Sequence, residues 1–434
     1  MDPTIITMIL LGTFLGLLAI GTPIFASLGV ASLLSMVLLG GFDSLLSVPS
    51  ILFRGMSSYS LIAIPLFILM GEVVARTTLG GRLFTLFQLW FNRIPGSLAM
   101  ASVGSATVFG AMSGVSVAGA ATIGRFAIPE MLKRHYSPGL AGGSVAAAGA
   151  LALLIPPSIG LILYAEMAKQ SVGRLFMAAA GPCLLVASLM VLYVFLVAIF
   201  RPSSAPRGEA EVVTWQMRLR ALKDVWAAIA LVIAVLGSIY TGVATPTEAA
   251  GIGAFGAFVV AALYRQLTLR LIYDIFHSTV VTSGMLLLIL AAALLFGWVV
   301  TRLMVPQSLV MLIATLNYPD WAIIALVLAF LIVVGMSPDI VSIILITTPI
   351  VLPVVEALGM SPILFGVIMI IACEMAVITP PIGLNLYVIK GIAPQLSMND
   401  IIRGALPFVG VEALAIVILL IFPQIALWLP SVFW

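Results

Sequence analysis

Charged residues are scarce in this sequence: Asp, Glu, Lys and Arg make up 8% of its 434 residues, whereas 63% are hydrophobic. Soluble domains carry about 25% charged residues, so this chain has too little polar surface to face water and is predicted to be an integral membrane protein. The two cysteines, Cys183 and Cys373, lack the spacing of a metal or redox motif. The sequence also has no P-loop and no Ser-His-Asp set, which leaves enzyme and ATP-driven pump functions without chemical support.

Long apolar runs dominate the chain, and a helix needs about 20 apolar residues to cross a bilayer core. Ten stretches fit this requirement: residues 4–20, 23–40, 61–78, 138–170, 179–199, 224–243, 246–264, 278–300, 361–390 and 404–430. The sequence therefore predicts a multi-pass, all-α membrane protein.

Two further hydrophobic stretches, 97–135 and 320–358, have a break at their midpoint. The first carries GAMSGVS at 110–116 and the second GMSPD at 335–339, which are small, polar or helix-breaking residues. Each stretch has 39 residues, so each of two legs would rise only about 28 Å. Two complete crossings are marginal at that length, and re-entrant hairpins are favoured over pairs of ordinary spanning helices.

Lys and Arg residues are distributed unevenly between the connecting segments. If the N-terminus lies outside and both hairpins return to the side they left, fifteen of the nineteen basic residues fall on the cytoplasmic side. The other four are Arg54, Lys169, Arg174 and Arg302. Because cytoplasmic loops carry the excess of Lys and Arg, both termini are predicted to be periplasmic. The basic residues act as topology signals, and no nucleic-acid partner is expected.

The chain contains an internal repeat with an offset of 224 residues. This offset pairs Pro95 with Pro319, Met112 with Met336, Ser113 with Ser337, Pro129 with Pro353, and Pro156-Pro157 with Pro380-Pro381. In the orientation above, the first hairpin enters from the inside and the second from the outside, so the repeats are inverted. Inverted repeats with interrupted helices are typical of secondary transporters, whose binding sites lie at the repeat interface.

The repeat predicts the domain organisation of an inverted-repeat transporter with two re-entrant helical hairpins and two interrupted helices. The predicted segments are scaffold helices at 1–60, a first repeat with the inward-side hairpin at 61–200, a cytoplasmic linker at 201–223, scaffold helices with an interfacial arm at 224–277, and a second repeat with the outward-side hairpin at 278–434.

Two proline pairs, Pro156-Pro157 and Pro380-Pro381, occupy matching positions in the two copies. A proline inside a helix removes a backbone donor and breaks the helix, which leaves carbonyl groups unbonded. At membrane depth such carbonyls are tolerated only where protein or a water-filled cavity meets them. Opposite a hairpin tip bearing Ser113 or Ser337, they would form an oxygen cage for a small hard cation such as sodium. A packing kink without any ligand is the alternative.

These segments resemble the large membrane subunit of tripartite ATP-independent periplasmic (TRAP) transporters. The resemblance covers essentially the whole chain and rests on GAMSGVS, IPPS, GMSPD and EMAVITPPIGLNLY, with residues 379–385 as its most specific part. It implies a sodium-driven elevator transporter of the bacterial inner membrane, coupled to two or more sodium ions. It also implies two partners, a small four-helix membrane subunit and a periplasmic substrate-binding protein. The implied substrate is an organic acid such as a C4-dicarboxylate or a sialic-acid-like carboxylate.

The same resemblance implies where the sodium ions bind, chiefly through backbone carbonyl groups. The positions in the first copy are Gly110 and Ser113 at the hairpin tip and Ala152, Ile155 and Pro157 in the broken helix. The equivalent positions in the second copy are Gly335, Ala376, Thr379 and Ile382.

Substrate contacts are predicted from the ends of helices and hairpins, which present amide groups and positive dipole ends that suit carboxylates. Five polar residues lie at such ends: Ser113, Ser116, Ser158, Thr379 and Asn385. Hydrogen bonding between helices is the alternative role for each of them.

Two acidic residues, Asp339 and Glu374, lie in apolar segments, where ionisable groups are rare and functional by default. Anchoring of the broken helix is the alternative role for Glu374. If either acid relayed protons, the chain would be a proton-coupled organic-anion carrier or antiporter that works without a binding protein. A channel would need a continuous pore, and the inverted repeats favour a carrier.

Overall fold

The computed structural model describes residues 2–206, 213–316, 318–336 and 340–433. Within these ranges the chain forms 21 α-helices and three short 3-10 helices without a strand, which confirms the predicted all-α architecture. Ser337 and Asp339, which the sequence placed at the tip of the second hairpin, lie outside the described residues.

The helices follow one another with short connections. In chain order they are α1 (Pro3–Ala19), α2 (Ile24–Gly40), α3 (Val48–Met56), α4 (Ala63–Ala75), α5 (Leu79–Phe91), α6 (Ser97–Ser113), α7 (Ser116–Lys133), α8 (Pro138–Ala150), α9 (Ile159–Ala168), α10 (Val172–Phe200), α11 (Trp215–Asp224), α12 (Trp226–Tyr240), α13 (Pro246–Leu263), α14 (Leu269–Arg302), α15 (Val305–Leu316), α16 (Asp320–Gly335), α17 (Ile340–Ala357), α18 (Pro362–Val377), α19 (Leu384–Ile392), α20 (Met398–Ile421) and α21 (Gln424–Phe433).

Both predicted hairpins are present as pairs of helices, α6 with α7 and α16 with α17. Between α6 and α7, Gly114 adopts a left-handed conformation with φ of +60°, which glycine accepts without steric cost. The four legs have 17, 18, 16 and 18 residues, so each rises about 24–27 Å. Each leg is thus somewhat shorter than the hydrocarbon thickness of about 30 Å, although α17 is still long and apolar enough to be a candidate span.

Both interrupted helices are broken at their proline pairs. Helix α8 tightens into a 3-10 turn at Leu151–Leu153 before the chain leaves helical geometry, and α9 begins at Ile159 after capping by Ser158. Helix α18 ends at Val377, and α19 begins at Leu384 after Gly383 with φ of +55°. Each proline pair contains a cis peptide bond between its two members.

The helix boundaries reproduce the predicted repeat. Helices α6–α10 correspond in order to α16–α20: a hairpin, an interrupted helix and one long helix. The starts of α6 and α16 lie 223 residues apart, those of α8 and α18 lie 224 apart, and those of α10 and α20 lie 226 apart. A repeat read from prolines alone therefore extends to the whole of both halves.

The number and ends of the spans need correction. Five described helices are long and apolar enough to cross a bilayer alone, namely α10, α13, α14, α17 and α20, and two bent helix pairs raise that number to at most seven. The predicted span at 404–430 is wrong, because α20 already begins at Met398 and ends at Ile421. Pro423 then separates it from α21, since proline cannot continue a helix. Helix α14 runs unbroken across the expected boundary at 277–278.

Two hydrophobic clusters fill the interior. The larger one includes the hairpins, the interrupted helices and the helices packed around them. The smaller one joins α1, α2 and the C-terminal half of α14, where the rings of Phe14 and Phe296 have centroids 6.3 Å apart. Helix α4 packs on α13 and α14, and it also contacts α6 of the first hairpin. Helix α4 therefore lies where the hairpins meet the surrounding helices.

Helices α8 and α20 cross each other at a contact formed by glycine residues. A Cβ atom on Gly404 would lie 1.8 Å from the carbonyl oxygen of Gly139, and one on Gly143 would lie 2.1 Å from the carbonyl carbon of Gly404. The two backbones are therefore in direct contact. Because α8 belongs to the first repeat and α20 to the second, this crossing fixes the two repeats to each other.

Candidate functional site

The tip of the first hairpin lies against the break in the first interrupted helix. A Cβ atom on Gly110 would lie 2.8 Å from Ala152 Cα and 3.0 Å from Ile155 Cδ1. One on Gly114 would lie 2.7 Å from the carbonyl oxygen of Pro157. Glycine is therefore required on the hairpin side of this contact. The structure brings Gly110, Ala152, Ile155 and Pro157 together, and these are four of the five positions in the first copy that the resemblance implied.

The proline pair removes the helical donors of two carbonyl groups in this break. In an α-helix each N–H bonds to the carbonyl four residues earlier, and Pro156 and Pro157 have no N–H. The carbonyls of Ala152 and Leu153 therefore lose their partners. The hydroxyl of Ser158 donates to the Leu153 carbonyl, whereas among the described residues no backbone donor outside the helices replaces the one lost at Ala152. The Ala152 carbonyl is therefore a candidate ligand for a cation.

Ser113 lies at the C-terminal end of α6, between this break and α4. Its side chain is buried, and its Oγ has no hydrogen-bond partner among the described residues. On the other side of the tip, a Cβ atom on Gly71 of α4 would lie 2.7 Å from the Ser113 carbonyl oxygen. A buried polar group without a partner costs about 1–3 kcal/mol, so the Ser113 hydroxyl is suited to a ligand that supplies the missing contact.

The second hairpin and the second break repeat this arrangement. A Cβ atom on Gly335 would lie 2.6 Å from Ala376 Cβ, and Ala376 stands four residues before Pro380, as Ala152 stands four residues before Pro156. The Ala376 carbonyl accepts a hydrogen bond of 3.2 Å from the Thr379 N–H. The Thr379 hydroxyl donates to the Met375 carbonyl at 2.6 Å, which leaves lone pairs of its oxygen available to a cation.

The two breaks differ in exposure. In the first, Ile155 is 4% exposed and both prolines are buried. In the second, Ile382 and Leu384 are each 40% exposed and Tyr387 is 53% exposed. The first break is therefore enclosed by its hairpin and neighbouring helices, while the second opens onto the protein surface.

A buried amide connects the two repeats. Asn385, in the first turn of α19, is fully buried and lies 2.8 Å from Ser116 Oγ through its Nδ2 atom. The same Nδ2 atom donates to the Ala146 carbonyl of α8 at 3.0 Å. Ser116 and Asn385 were predicted to contact substrate, and in this structure their polar groups bond to each other.

A second buried connection is made by a carboxyl group. Glu374 of α18 is fully buried, and its Oε1 accepts a hydrogen bond of 3.1 Å from the Leu154 N–H in the first break. Its Oε2, and both carboxyl oxygens of the fully buried Glu412 on α20, have no partner among the described residues. The two acids lie on α18 and α20, which contact each other. Sequence reasoning missed Glu412, although a single acid within an apolar stretch was a sufficient signal.

The oxygen atoms at both breaks fit a small hard cation. The described residues contain no group of three or more His, Cys, Asp or Glu side chains placed to hold a metal ion. The available donors are backbone carbonyls, the unpartnered hydroxyl of Ser113 and the hydroxyl of Thr379. Hard cations prefer oxygen ligands of this kind, so the residues present fit sodium better than a transition metal.

Each of the two repeats in this helical membrane protein contains one hairpin that faces one helix break. This arrangement defines an inverted-repeat transporter. The chain matches the family model described as "Tripartite ATP-independent periplasmic transporter, DctM component" over residues 11–425. It belongs to this family, the large permease component of TRAP transporters, which confirms the resemblance read from the motifs.

Two curated relatives and one solved structure illustrate the similarity. The C4-dicarboxylate TRAP transporter large permease protein DctM of Vibrio cholerae is 33% identical over 96% of both chains. The ectoine TRAP transporter large permease protein TeaC of Halomonas elongata is 31% identical over 98% of both. The YdaH transporter of Alcanivorax borkumensis has a similar fold, with a TM-score of 0.63 over 92% of this chain and 97% of its own, at 16% identity.

Proposed function

We propose that this chain is the permease subunit of a sodium-driven, binding-protein-dependent importer of an organic acid, and that it works by an elevator mechanism. The observation that carries the proposal is the matched contact of Gly110 with Ala152 and of Gly335 with Ala376. Each contact places the end of a hairpin's first helix against the alanine whose carbonyl group loses its helical donor to a proline. Two such oxygen-lined sites suit two or more sodium ions as coupling ions.

The bonds between the repeats support an elevator rather than a rocking motion. Asn385 of the second repeat bonds to Ser116 and Ala146 of the first, and Glu374 of the second accepts from Leu154 of the first. If one repeat rocked against the other, it would break buried hydrogen bonds and separate the α8–α20 backbone contact. The two repeats therefore move together as one body, past helices that include α1, α2 and α14.

The substrate and the partners are proposed from the family. The two relatives described above carry the names of C4-dicarboxylate and ectoine transporters, and we propose a carboxylate as the substrate here. Capture of this acid falls to a periplasmic substrate-binding protein, and a small four-helix membrane subunit braces the moving body. The protein resides in the bacterial inner membrane. Of the five predicted substrate contacts, Ser116 and Asn385 bond to each other across the repeats. We therefore keep Ser113, Ser158 and Thr379 as the proposed substrate contacts.

Reconstitution tests this function directly. Proteoliposomes that contain the chain with its small subunit should accumulate the acid only when loaded binding protein and an inward sodium gradient are both present. Replacing the sodium gradient with a proton gradient of equal size should give no accumulation. Uptake by the chain alone, without the binding protein or the small subunit, would contradict the tripartite assignment.

A proton-coupled carrier is the second candidate, and one observation favours it. Glu374 and Glu412 are fully buried on the contacting helices α18 and α20, and intramembrane acids occur in proton relays. This candidate predicts uptake that follows a proton gradient and needs no binding protein.

The orientation of the chain can be tested by cysteine labelling. Both native cysteines are buried, so their background reactivity with a membrane-impermeant maleimide should be low. Ser203 and Ser50 are exposed, and the distribution of basic residues places them on opposite sides of the membrane. We expect Ser50→Cys to react in intact spheroplasts and Ser203→Cys to react only in inverted vesicles. Reaction of both variants from one side would contradict the inverted topology.

The two hydroxyl groups at the breaks should contribute to sodium binding. Ser113→Ala and Thr379→Val each remove a hydroxyl without adding volume, and loss of one contact costs on the order of 1 kcal/mol. We expect each variant to need about fivefold more sodium for half-maximal uptake, measured with saturating binding protein. Ser144→Ala serves as a control, because Ser144 is also buried with an unpartnered hydroxyl but lies in the middle of α8, away from the break. Unchanged sodium dependence in both test variants would leave only a carbonyl cage or a packing kink.

A further inference from the structure

The two packed repeats, α6–α10 and α16–α20, together form what we call the hairpin-bearing body. A crevice at one end of this body is not used by the proposed transport cycle. It has a volume of about 520 Å³ and lies between the start of α8, the C-terminal end of α10 and the first half of α20. The glycine crossing of α8 and α20 contributes Gly139 and Gly404 to its lining, so backbone rather than bulky side chains faces the crevice there.

Two arginines give this crevice a positive charge. Arg201 follows the last residue of α10, and Arg403 lies in the second turn of α20. Both line the crevice and are exposed. Among the described residues neither of them forms an ion pair. Ser137 and Ser204 add hydroxyl groups at the same place, and the Ser137 N–H bonds to the Ser204 carbonyl at 2.9 Å.

The opposite part of the crevice is apolar and faces the bilayer. Leu196 and Phe200 of α10 are 41% and 78% exposed, and Pro407 of α20 completes this wall. Tyr193 also lines the crevice, and its ring packs edge-on against Phe408 at 4.9 Å. Helix α10 has 29 residues and is long enough to cross the membrane, so Arg201 at its end lies at the level of the lipid headgroups.

We propose that this crevice binds one anionic phospholipid, with the phosphate between Arg201 and Arg403 and an acyl chain along Leu196 and Phe200. Guanidinium groups bind phosphate oxygens in a bidentate manner, and basic pockets between membrane helices accept anionic headgroups. Since the crevice lies wholly between helices of the hairpin-bearing body, the lipid travels with that body.

Native mass spectrometry of the purified full chain in neutral detergent tests the proposal. The chain is titrated with phosphatidylglycerol or with phosphatidylcholine of the same acyl chains. Both lipids carry the phosphate, but the choline cation of phosphatidylcholine is repelled by the two arginines, so we expect phosphatidylglycerol to bind about tenfold more tightly. Equal binding of the two lipids would overturn the proposal. So would competition of inorganic phosphate alone with phosphatidylglycerol at equal concentration, because the ligand would then be a free anion.

Two variants and a matched control locate the site. The double variant Arg201→Gln/Arg403→Gln should lose the preference for phosphatidylglycerol. Arg220→Gln/Arg270→Gln removes the same charge from two exposed arginines that do not line the crevice, and it should keep the preference. Leu196→Trp retains both arginines but fills the apolar wall, and it should weaken binding of both lipids. If the control loses the preference as completely as the crevice variant, binding reflects net charge and the assignment of the site is wrong.

Discussion

Gly335→Ala should reduce sodium-driven uptake by about tenfold or more, and a second change, Ala376→Gly, should restore it. The added Cβ would lie 2.6 Å from Ala376 Cβ, and its next neighbour is the flexible side chain of Ile343 at 3.1 Å. Overpacking of this kind costs about 1–3 kcal/mol, and a tenfold change corresponds to about 1.4 kcal/mol. Removing the Ala376 Cβ clears the clash, so uptake in proteoliposomes should recover in the double variant.

The first repeat should respond differently to the same pair of changes. At Gly110 the nearest atom is the backbone Cα of Ala152 at 2.8 Å, which Ala152→Gly does not remove. Gly110→Ala should therefore lower uptake without rescue by the second change. Gly237→Ala is the control, since a Cβ there meets no atom within 4 Å. Full activity of Gly335→Ala, or equal rescue in both repeats, would show that the tips are not held against the breaks as described.

The sequence predicted the parts of the fold that depend on local chemistry. Prolines and glycines mark breaks because of their own backbone geometry, so the hairpin tip at Gly114 and the break at Pro156-Pro157 were correctly placed. Ala152 and Ala376 were named only through the resemblance to the family, and each stands four residues before the first proline of its pair. The structure adds that Gly110 at the end of α6 contacts the first break and that Gly335 at the end of α16 contacts the second.

Features that depend on partners distant in sequence could not be predicted. The bond of Asn385 to Ser116 spans 269 residues and that of Leu154 to Glu374 spans 220. No periodicity or spacing specifies such pairs, because they arise only when two helices pack. The exposure of the two breaks could not be predicted for the same reason. Their sequences, IPPSIG and TPPIG, are nearly the same, yet only the second of these two breaks opens to the surface.

The asymmetry between the breaks bears on the transport cycle. Ile155 is enclosed, while Ile382 is 40% exposed, so a sodium ion would enter the second site more readily in this conformation. Two chemically equivalent sites with unequal access suit alternating access, in which motion of the hairpin-bearing body exchanges the open and closed sides. In the proposed elevator cycle, the buried bonds between the repeats would keep the two sites at a fixed distance from each other.

Glu374 is the residue at which the two candidate functions give opposite predictions. Glu374→Gln keeps an oxygen that can accept from the Leu154 N–H, and it keeps the volume of a fully buried side chain. Glu374→Ala removes the acceptor and leaves a cavity, and buried large-to-small changes cost about 2–5 kcal/mol. If Glu374 anchors the first break, Gln should transport within about threefold of the wild type, since loss of one neutral contact costs about 1 kcal/mol or less. The Glu374→Ala variant should lose more than about tenfold in sodium-driven uptake.

A proton relay predicts another pattern, because an amide cannot exchange a proton as a carboxyl group does. Gln at position 374 would then be as inactive as Ala, while its thermal stability stayed close to that of the wild type, because Gln keeps the volume of Glu374 and an oxygen that accepts from the Leu154 N–H. Sodium-driven uptake and the Tm of each purified variant separate these cases. Glu412→Gln is the companion variant: Glu412 has no hydrogen bond to a described residue, so under sodium coupling it should transport normally. Inactivity of both Gln variants with unchanged Tm would replace the sodium-driven assignment with a proton-coupled one.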